Sequence, residues 1–379
     1  MKVLLLYDYP PSPSGLATQG DLLLKGLVEL GVEAYAVNCE SAQEKEWYYR
    51  WLKPDIVVGI GFWGHTPQLI LHPQYFGVQP VPWLVANGYI AHYQDVLNAL
   101  PLILVTSAWV KEMYVRDGIS PDNIVVLPVG CDTDSFIPYP RDNHKVSAVR
   151  ESFGVAPAQL MLLTVGGDAA SKGAREVMQA LALIDKEVPD YKYVCKVWPQ
   201  ARTKRQNIED LLLAKELGIE KRIVYGMFIS SRNFMPYLIG ACDIYAGPSR
   251  LEGFGMLQVE AGACGKPVIS MKAMGMLDTL IDGETAFLAS VAEKIVVDRV
   301  ETVDDNSGEK RMVFFDVPRT VDYRADVDDI AAGLLRLMND PALCLRMGAT
   351  GRDHVVDHFD YRLVARKFIE IVGCRLGIS

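Results

Sequence analysis

The chain has 379 residues, of which 50% are hydrophobic and 22% are charged, and this is too long for one ordinary hydrophobic core. It carries 47 acidic and 38 basic residues, a net charge of −9; residues 1–150 hold 15 acidic and 10 basic residues, so neither half is basic. This balance argues against nucleic-acid binding and against docking on anionic lipid, because both need clustered positive charge. The length of the chain leads us to expect two domains.

The cysteines and the first residues indicate where the protein resides. The seven cysteines are widely spaced and form no C-x-x-C pair, which predicts neither a disulfide framework nor a structural zinc site. The first apolar run breaks at Asp8 and Pro10, far short of the roughly 20 residues that span a bilayer. We expect a buried first strand rather than a signal peptide, and a reducing cytoplasm as the location.

Apolar runs alternate with amphipathic stretches over the first 130 residues, a pattern typical of β-α units around a parallel sheet. Leu16–Leu30 has the periodicity of a helix that ends at Gly31, and Ser107 is expected to cap a helix that ends near Gly118. Strands are predicted at VLLLY (3–7), EAYAV (33–37), DIVVGI (55–60), VPWLVA (81–86), LILVT (102–106) and IVVLP (124–128).

A polar stretch at Asp132–Arg150 interrupts this pattern and is interpreted as an interdomain linker. A second series follows, with a helix at Glu209–Leu217 and a last helix at Tyr361–Cys374. The charged segment 290–325 is interpreted as an inserted hairpin or a flexible excursion. Strands of the second series are predicted at MLLTV (161–165), YVCKV (193–197), RIVYG (222–226), DIYAG (243–247) and PVIS (267–270).

The most informative segment is PSRLEGFGMLQVEAGACGKPVIS, residues 248–270. A buried strand ends there, a turn with Gly253 and Gly255 follows, and an apolar helix begins near Met256. The free backbone N–H groups at the start of this helix lie at the carboxyl edge of the sheet, where open α/β sheets bind ligands and where a diphosphate fits. Glu252 lies in the turn, and Glu260 lies one helical turn into the helix.

A lone G-x-G turn would favour an ordinary strand-turn-helix with a solvated Glu252 and a surface Glu260. Here the two glutamates stand seven residues apart around G-F-G, and the helix continues as E-A-x-A-C-G-x-P-V. This segment resembles the signature of the family 4 retaining glycosyltransferases. The resemblance is weak over residues 40–100 and absent over 290–325, and it also includes PSPSGLATQGDLLLKGLVELGVE (11–33), IVVLPVGCDTDSF (124–136), TVGGDAASKGAREVMQAL (164–181) and FDYRLVARKFIEIV (359–372).

The resemblance implies an α/β fold of two Rossmann-like domains that face a cleft, the GT-B fold. Residues 1–150 would form the acceptor domain, completed by a crossing helix at 359–379. Residues 151–358 would bind the nucleotide sugar and carry the insertion at about 290–325. The implied activity is retaining transfer of a hexosyl group from a nucleotide diphosphate sugar to a small molecule, glycan or lipid acceptor. The donor is a substrate, and no cofactor is expected.

The resemblance also implies roles for individual residues. Glu260 would bind the ribose hydroxyls, which suits an ionised hydrogen-bond acceptor. Glu252 would contact the donor sugar, and Lys172 would neutralise the diphosphate as it leaves. The remaining substrate-binding positions are Gly15 in the first loop and Gly253, Phe254, Gly255, Met256 and Leu257 in the second domain.

One position departs from the family. An arginine usually follows the glycine that ends the strand before the catalytic lysine, and here Gly167 holds that place. Another cation from the region after the next strand is expected to reach the phosphates, or else the phosphates are held less tightly. The candidates are Lys196, Arg202, Lys204 and Arg205, with an exposed basic loop as the alternative.

Two further motifs need an interpretation. His65 in GIGFWGH follows a strand, near the place where the family has a histidine beside the reacting sugar; an ordinary histidine at a helix start is the alternative. The sequence Asp132-Thr133-Asp134 matches the D-x-D metal site of another glycosyltransferase fold. It lies in the interdomain turn, where capping explains it better, so we predict no metal.

Two other classes of protein remain open on this fold. A sugar-nucleotide epimerase or a sugar phosphorylase would share the architecture. A noncatalytic nucleotide-sugar-binding protein is the other alternative, and the departure at Gly167 is its only support.

Overall fold

The computed structural model describes residues 1–303 and 310–378, except for the side chains of residues 201 and 202. The chain divides into two compact units, each with one six-stranded parallel sheet, which confirms the predicted fold class. The first unit comprises Met1–Gly130, Ile295–Asp322 and Phe359–Ser379. The second unit comprises Cys131–Lys294 and Tyr323–His358.

The first sheet has the strand order β2-β1-β3-β4-β5-β6. The strands are parallel, but the order in which the chain adds them reverses between β1 and β3, since β2 lies on one side of β1 and β3 to β6 lie on the other. Its central strands are apolar on both faces, as expected for a parallel sheet covered by helices on both sides; Val3 to Tyr7, for example, are fully buried. Each strand falls at one of the predicted runs: β1 Lys2–Tyr7, β2 Glu33–Asn38, β3 Ile56–Phe62, β4 Pro80–Val85, β5 Ile103–Val105 and β6 Ile124–Val126.

The second sheet has the order β12-β11-β10-β7-β8-β9, which reverses direction between β7 and β10. Crevices for ligands form outside the carboxyl ends of strands at such reversals. Five of its strands match predicted runs, and β12 was not predicted. The strands are β7 Leu160–Val165, β8 Tyr191–Val197, β9 Ile223–Met227, β10 Ile244–Ala246, β11 Val268–Met271 and β12 Ala286–Ala289.

Among the described residues, five helices begin at a residue whose side chain accepts a capping hydrogen bond. The Ser107 hydroxyl accepts a hydrogen bond from Val110 N at 3.1 Å and so caps α5, as predicted. The helices are α1 Gly15–Glu29, α2 Ala42–Trp51, α3 His72–Tyr75, α4 Gln94–Asn98, α5 Ala108–Arg116, α6 His144–Ser152, α7 Ala174–Ile184, α8 Ala201–Glu216, α9 Met235–Ala241, α10 Met256–Ala263, α11 Met276–Thr279, α12 Val327–Asn339, α13 Pro341–Phe359 and α14 Tyr361–Leu376. None of the helices in the described residues is long and apolar enough to cross a membrane.

Two sequence predictions for the second unit were wrong in detail. The expected linker at Asp132–Arg150 contains most of α6, which Asn143 caps and which buries Arg150 against Ala241 O at 2.7 Å. Helix α8 begins at Ala201, eight residues before the predicted start. In both places the apolar periodicity of the helix was too weak to recognise, because only a narrow stripe of the helix is buried and the other side chains are polar.

The described residues of segment 290–325 form two paired strands, which agrees with the hairpin, one of the two predicted alternatives. Its strands are β13 Val291–Val303 and β14 Lys310–Ala325. The sequence placed the whole segment in the second domain, but residues 295–322 group with the first unit because of specific contacts there. The Phe315 ring lies 5.6 Å from the Tyr89 ring, and Arg319 Nε lies 2.8 Å from an Asp117 oxygen.

The carboxylate of Asp117 is the main anchor of this hairpin. It is 2% exposed and pairs with both Arg116 and Arg319, and it accepts a hydrogen bond from Ile90 N at 2.7 Å. One buried side chain therefore joins the hairpin, α5 and the loop after β4.

We predict that Asp117→Ala destabilises the first unit by about 3 kcal/mol, because two guanidinium groups lose a buried partner. Tryptophan fluorescence during chemical denaturation is a suitable measurement, since the first unit holds five of the six tryptophans. Asp95→Ala is the control: Asp95 is exposed in the first turn of α4, and its removal should cost less than about 1 kcal/mol. Equal effects of the two variants would contradict this view of the hairpin.

Candidate active site

The loops after β7 and β10 leave the second sheet from neighbouring strands. The Thr164 hydroxyl donates a hydrogen bond to Ala246 O, and Arg250 N donates one to Ser171 O at 3.0 Å. The loops also touch at Gly173, whose φ is +79° and where an added Cβ would lie 2.3 Å from Pro248 O. Residues about 80 positions apart in the chain are thereby fixed side by side.

This contact brings together two of the predicted catalytic residues. Lys172 Nζ lies 2.7 Å from Glu252 Oε2, and their side chains are 23% and 20% exposed. Lys172 ends a single 3-10 turn, and its side chain packs on Gly166, where an added Cβ would lie 2.7 Å from Lys172 Cγ. The ion pair is thus held by a tightly packed backbone, and solvent reaches one side of it.

Glu260 is the most deeply buried acidic group of the site. Its side chain is 1% exposed, and Arg232 Nη2 lies 2.6 Å from Glu260 Oε1. Arg232 is therefore the ion-pair partner of Glu260, but no well-aligned hydrogen bond reaches either carboxylate oxygen from the described residues. Buried carboxylate oxygens normally accept several hydrogen bonds, so Glu260 has the capacity to accept more.

The protonation of Glu260 reflects two opposing effects. Burial raises the pKa of the Glu260 carboxyl, and the neighbouring Arg232 lowers it by a smaller amount, which leaves it above its ordinary value. The Arg232 guanidinium also lies 4.6 Å from the centre of the Phe136 ring. Arg232 therefore favours the ionised state of Glu260 without saturating its oxygens.

Helix α10 begins at the carboxyl edge of the sheet, beside the Lys172–Glu252 pair. Gly255 precedes it with φ +90°, a left-handed conformation that favours glycine. The Thr279 hydroxyl donates to Phe254 O at 3.2 Å and fixes the turn. The amides of Met256 and Leu257 belong to the first turn and have no intrahelical acceptor. The predicted substrate-binding residues 253–257 thus form a cradle of backbone N–H groups next to the ion pair.

The surroundings of Gly167 show where the candidate phosphate cations lie. Gly167 O accepts hydrogen bonds from Trp198 N at 3.1 Å and from the Thr203 hydroxyl at 3.3 Å, so the start of α8 approaches this loop. Lys204 and Arg205 lie on α8 rather than in a loop, and both are exposed. The side chain of Arg202 lies outside the described residues.

Lys196 lies within β8, inside the strand predicted at 193–197, and it is only 3% exposed.

His65 and Gly15 lie in the first unit. They follow β3 and β1, the two strands on either side of the reversal in the first sheet. The His65 ring packs 4.2 Å from the Phe62 ring, and burial lowers its pKa. Gly15 is the exposed first residue of α1. Both residues therefore occupy the edge of their own sheet where ligands bind.

The D-T-D motif forms a turn, as the sequence indicated. Asp132 Oδ1 accepts hydrogen bonds from Asp134 N and Ser135 N, both at 3.2 Å. Within the described part of the chain, no group of three or more His, Cys, Asp or Glu side chains is arranged to hold a metal ion.

Sequence reasoning missed Arg232 and a second ion pair. Arg250 Nη2 lies 2.8 Å from Glu176 Oε1, which ties the loop after β10 to α7. The sequence indicates neither arginine. For Arg232, no spacing rule links the segment SSRNF (230–234) to Glu260, which follows 28 residues later.

Comparisons with known proteins mainly concern the second half of the chain. Residues 147–314 match the family model of glycosyl transferases group 1. The chain is 29% identical over 204 residues to D-inositol 3-phosphate glycosyltransferase of Corynebacterium aurimucosum, covering 52% of this chain and 47% of the relative. It is 25% identical to MMP α-(1→4)-mannosyltransferase of Mycolicibacterium hassiacum, covering 75% of this chain and 56% of the relative. The chain thus spans about half the length of these relatives.

The fold resembles solved glycosyltransferase structures over almost the whole chain. HepE of Anabaena, solved in complex with UDP and glucose, superposes with a TM-score of 0.74 at 16% identity, covering 99% of this chain and 100% of HepE. At this identity the likeness concerns the fold, which is the GT-B arrangement of two Rossmann-like domains.

We predict that Gly173→Ala destabilises the second unit by about 1–3 kcal/mol more than Gly218→Ala, the usual cost of overpacking. Both glycines have φ between +76° and +79°, but a Cβ at Gly218 meets nothing within 4 Å. Gly218→Ala therefore measures the left-handed strain alone. Chemical denaturation followed by circular dichroism gives both values, and equal losses would mean that the loops after β7 and β10 do not depend on this close approach.

Proposed function

We propose that this protein is a retaining glycosyltransferase that takes a hexosyl group from a nucleotide diphosphate sugar and transfers it to an acceptor hydroxyl. The observation that carries the proposal is the Glu260 carboxylate, which is 1% exposed and pairs with Arg232, and whose oxygens accept no well-aligned hydrogen bond from the described residues. It lies on α10, three residues beyond the cradle of backbone N–H groups, and the Lys172–Glu252 pair lies beside that cradle.

The hydroxyls of a ribose can donate the hydrogen bonds that the Glu260 carboxylate is able to accept. Two neighbouring hydroxyls can each donate to one carboxylate oxygen, and hydrogen bonds to a charged group are worth about 1.5–3 kcal/mol each. Burial raises the pKa of the Glu260 carboxyl, and Arg232 partly offsets that effect, which favours the ionised form that accepts hydrogen bonds. The diphosphate would then extend from α10 toward the β7 loop.

Lys172 and the first turn of α10 would stabilise the leaving group. As the bond from the anomeric carbon to the diphosphate oxygen breaks, its electron pair passes to the diphosphate, and preorganised donors lower the energy of that charge. The acceptor oxygen forms the new bond on the same face of the sugar, and its proton moves to a base. Glu252, 2.7 Å from Lys172, is placed to hold the donor sugar.

His65 is the candidate residue for hydrogen bonding to the acceptor hydroxyl or for accepting its proton. Its pKa is lowered by burial, so the imidazole is neutral at pH 7 and can accept a proton or a hydrogen bond. Gly15 at the start of α1 would let substrate approach the backbone at the same edge of the first sheet.

The relatives support a sugar-transfer activity for the whole protein. Their names specify transfer to D-inositol 3-phosphate and an α-(1→4) mannosyl transfer, and HepE was solved with UDP and glucose. All these proteins handle sugars or sugar donors, which favours transfer over epimerisation and over binding alone.

We further propose that the reaction needs no metal and takes place in the cytoplasm. Lys172 and backbone amides occupy the place where a metal enzyme has carboxylates, and Asp132 is engaged in a turn. All seven cysteines are unpaired, which suits a reducing compartment. EDTA should therefore leave the transfer rate unchanged.

A thermal-shift screen against UDP, GDP and ADP sugars tests the proposal. A donor at 100 times its dissociation constant adds about 2.7 kcal/mol of stability. A hit should then release its nucleoside diphosphate when candidate acceptors are added. Absence of any shift with all three classes would contradict the proposal, and a shift without transfer to any acceptor would favour a binding protein.

We predict that Glu260→Gln weakens nucleoside diphosphate binding by about 10- to 100-fold at pH 8, the loss expected for one or two charged hydrogen bonds. The carboxyl pKa is raised, so the wild type loses this advantage as the pH falls through that pKa and the carboxyl becomes protonated. The ratio of wild-type to variant affinity should therefore shrink on acidification. Calorimetric titration at several pH values measures it, with exposed Glu216→Gln as control. A ratio that is constant with pH would exclude an ionised Glu260 from the site.

We predict that Lys172→Ala slows single-turnover transfer by about 10²–10³-fold, as when one preorganised charge-stabilising donor is removed. Lys215→Ala is the control, because Lys215 is exposed in the last turn of α8. A loss of less than tenfold with bound donor would mean that Lys172 does not contact the departing group.

A further inference from the structure

Strand β13 has an uncovered edge. It spans Val291–Val303 and pairs with β14 on one side, and no further strand pairs with it among the described residues. No residue of β13 is buried, and the apolar side chains of Ile295 and Val296 are 37% and 52% exposed. An edge strand presents a row of backbone N–H and C=O groups with which a strand of another chain can pair.

The hairpin is fixed to the rest of the protein through β14 rather than through β13. Strand β14 supplies the contacts with Tyr89 and with Asp117 that are described above. The one ion pair that β13 forms within the described residues, between Glu301 and Lys310 at 2.8 Å, stays inside the hairpin. Strand β13 is therefore the outer strand, and its free edge faces away from its anchored neighbour.

The middle of β13 is complementary to itself. Residues 293–299 read EKIVVDR. When this segment lies antiparallel to a second copy with Val296 opposite Val296, Glu293 is opposite Arg299 and Lys294 is opposite Asp298. The apolar residues between them are then opposite one another as well. Directly opposed side chains of antiparallel strands have Cβ atoms about 4.5–5.5 Å apart, which is close enough for ion pairs.

The charged side chains of this segment are available to a second chain. Glu293, Lys294, Asp298 and Arg299 are all exposed, and none of them forms an ion pair within the part of the chain that the structure describes. Lys294 Nζ lies 5.9 Å from the centre of the Tyr323 ring, a contact that leaves its charge uncompensated.

Other registers of self-pairing bring like charges together. A shift by one residue in one direction sets Lys294 opposite Arg299, and a shift in the other direction sets Glu293 opposite Asp298. Parallel pairing in register sets every charge opposite its own copy. Like charges that are directly opposite destabilise a strand pair, so this pattern both favours one register and disfavours its neighbours. The sequence thus specifies antiparallel self-pairing centred on Val296.

We propose that β13 is a dimerisation edge, at which two copies of this protein pair antiparallel about a two-fold axis at Val296. The two hairpins then form one four-stranded sheet with both copies of β13 at its centre. In such an interface the same residues face each other on both sides, so each of the two kinds of ion pair occurs twice. The pairing uses none of the residues assigned to sugar transfer, and its test is independent of the proposed function.

Sedimentation velocity over a range of protein concentrations tests the dimer. The wild type should show a monomer–dimer equilibrium that weakens in high salt, because salt screens exposed charges. Lys294→Asp sets two carboxylates opposite each other at two places in the dimer, and Asp298→Lys sets two ammonium groups opposite each other. Each single variant should raise the dimer dissociation constant by about tenfold or more.

Exchange of the two charges is the most specific comparison. The double variant Lys294→Asp/Asp298→Lys restores opposite charges and should recover the wild-type dissociation constant within a few-fold. A mixture of the two single variants should form heterodimers, because every charge at these positions then meets its opposite on the other chain. Asp316→Lys is the matched control, since Asp316 is exposed on β14, and it should leave the dissociation constant unchanged.

Three results would overturn the assignment. The first is a wild type that stays monomeric at every attainable concentration, which would leave β13 to a different partner. The second is a dimer that both single variants form as well as the wild type, which would place the interface elsewhere. The third is a double variant that stays as weak as the single ones. If any of these variants does not fold, Glu293→Arg and Arg299→Glu, singly and together, test the same register on the opposite face of the strand.

Discussion

The adjacency of β7 and β10 is the constraint on which the candidate site depends. These strands pair although β8 and β9 lie between them in the sequence, and the sheet reverses its order at that point. Their following loops must therefore leave the same edge side by side. The contact between Gly173 and Pro248 sets the distance between the two loops, and this distance allows Lys172 and Glu252 to form their ion pair. The geometry of the candidate site thus depends first on the pairing of these two strands.

Charge in the site is only partly compensated before a ligand binds. Glu260 is buried with Arg232 as its ion-pair partner at 2.6 Å, but its oxygens accept no well-aligned hydrogen bond from the described residues. Burying this carboxylate costs stability in the free protein, and the two hydroxyls of a ribose are able to supply the hydrogen bonds. A site that is strained electrostatically when empty binds its ligand more tightly because the ligand relieves that strain.

The sequence predicted the parts of the site that depend on sheet topology. The family resemblance indicated Lys172 and Glu252, and each follows a strand with a buried apolar run, so both lie at the carboxyl edge of the sheet; their ion pair was not predicted. Arg232 could not be found, since its contact with Glu260 depends on how the loop after β9 folds. Helix α8 was predicted eight residues too short because its first turns are polar, so Lys204 and Arg205 were misplaced in a loop. The hairpin was recognised, but its anchor at Asp117 depends on long-range contacts that no local pattern encodes.

The most direct test of the account is a crystal structure with the nucleoside diphosphate that the protein binds most tightly. The account predicts that the Glu260 carboxylate accepts hydrogen bonds from both ribose hydroxyls and that the diphosphate lies over the start of α10, with Lys172 in contact. A nucleotide bound elsewhere on the chain, or bound here with its ribose away from Glu260, would contradict it.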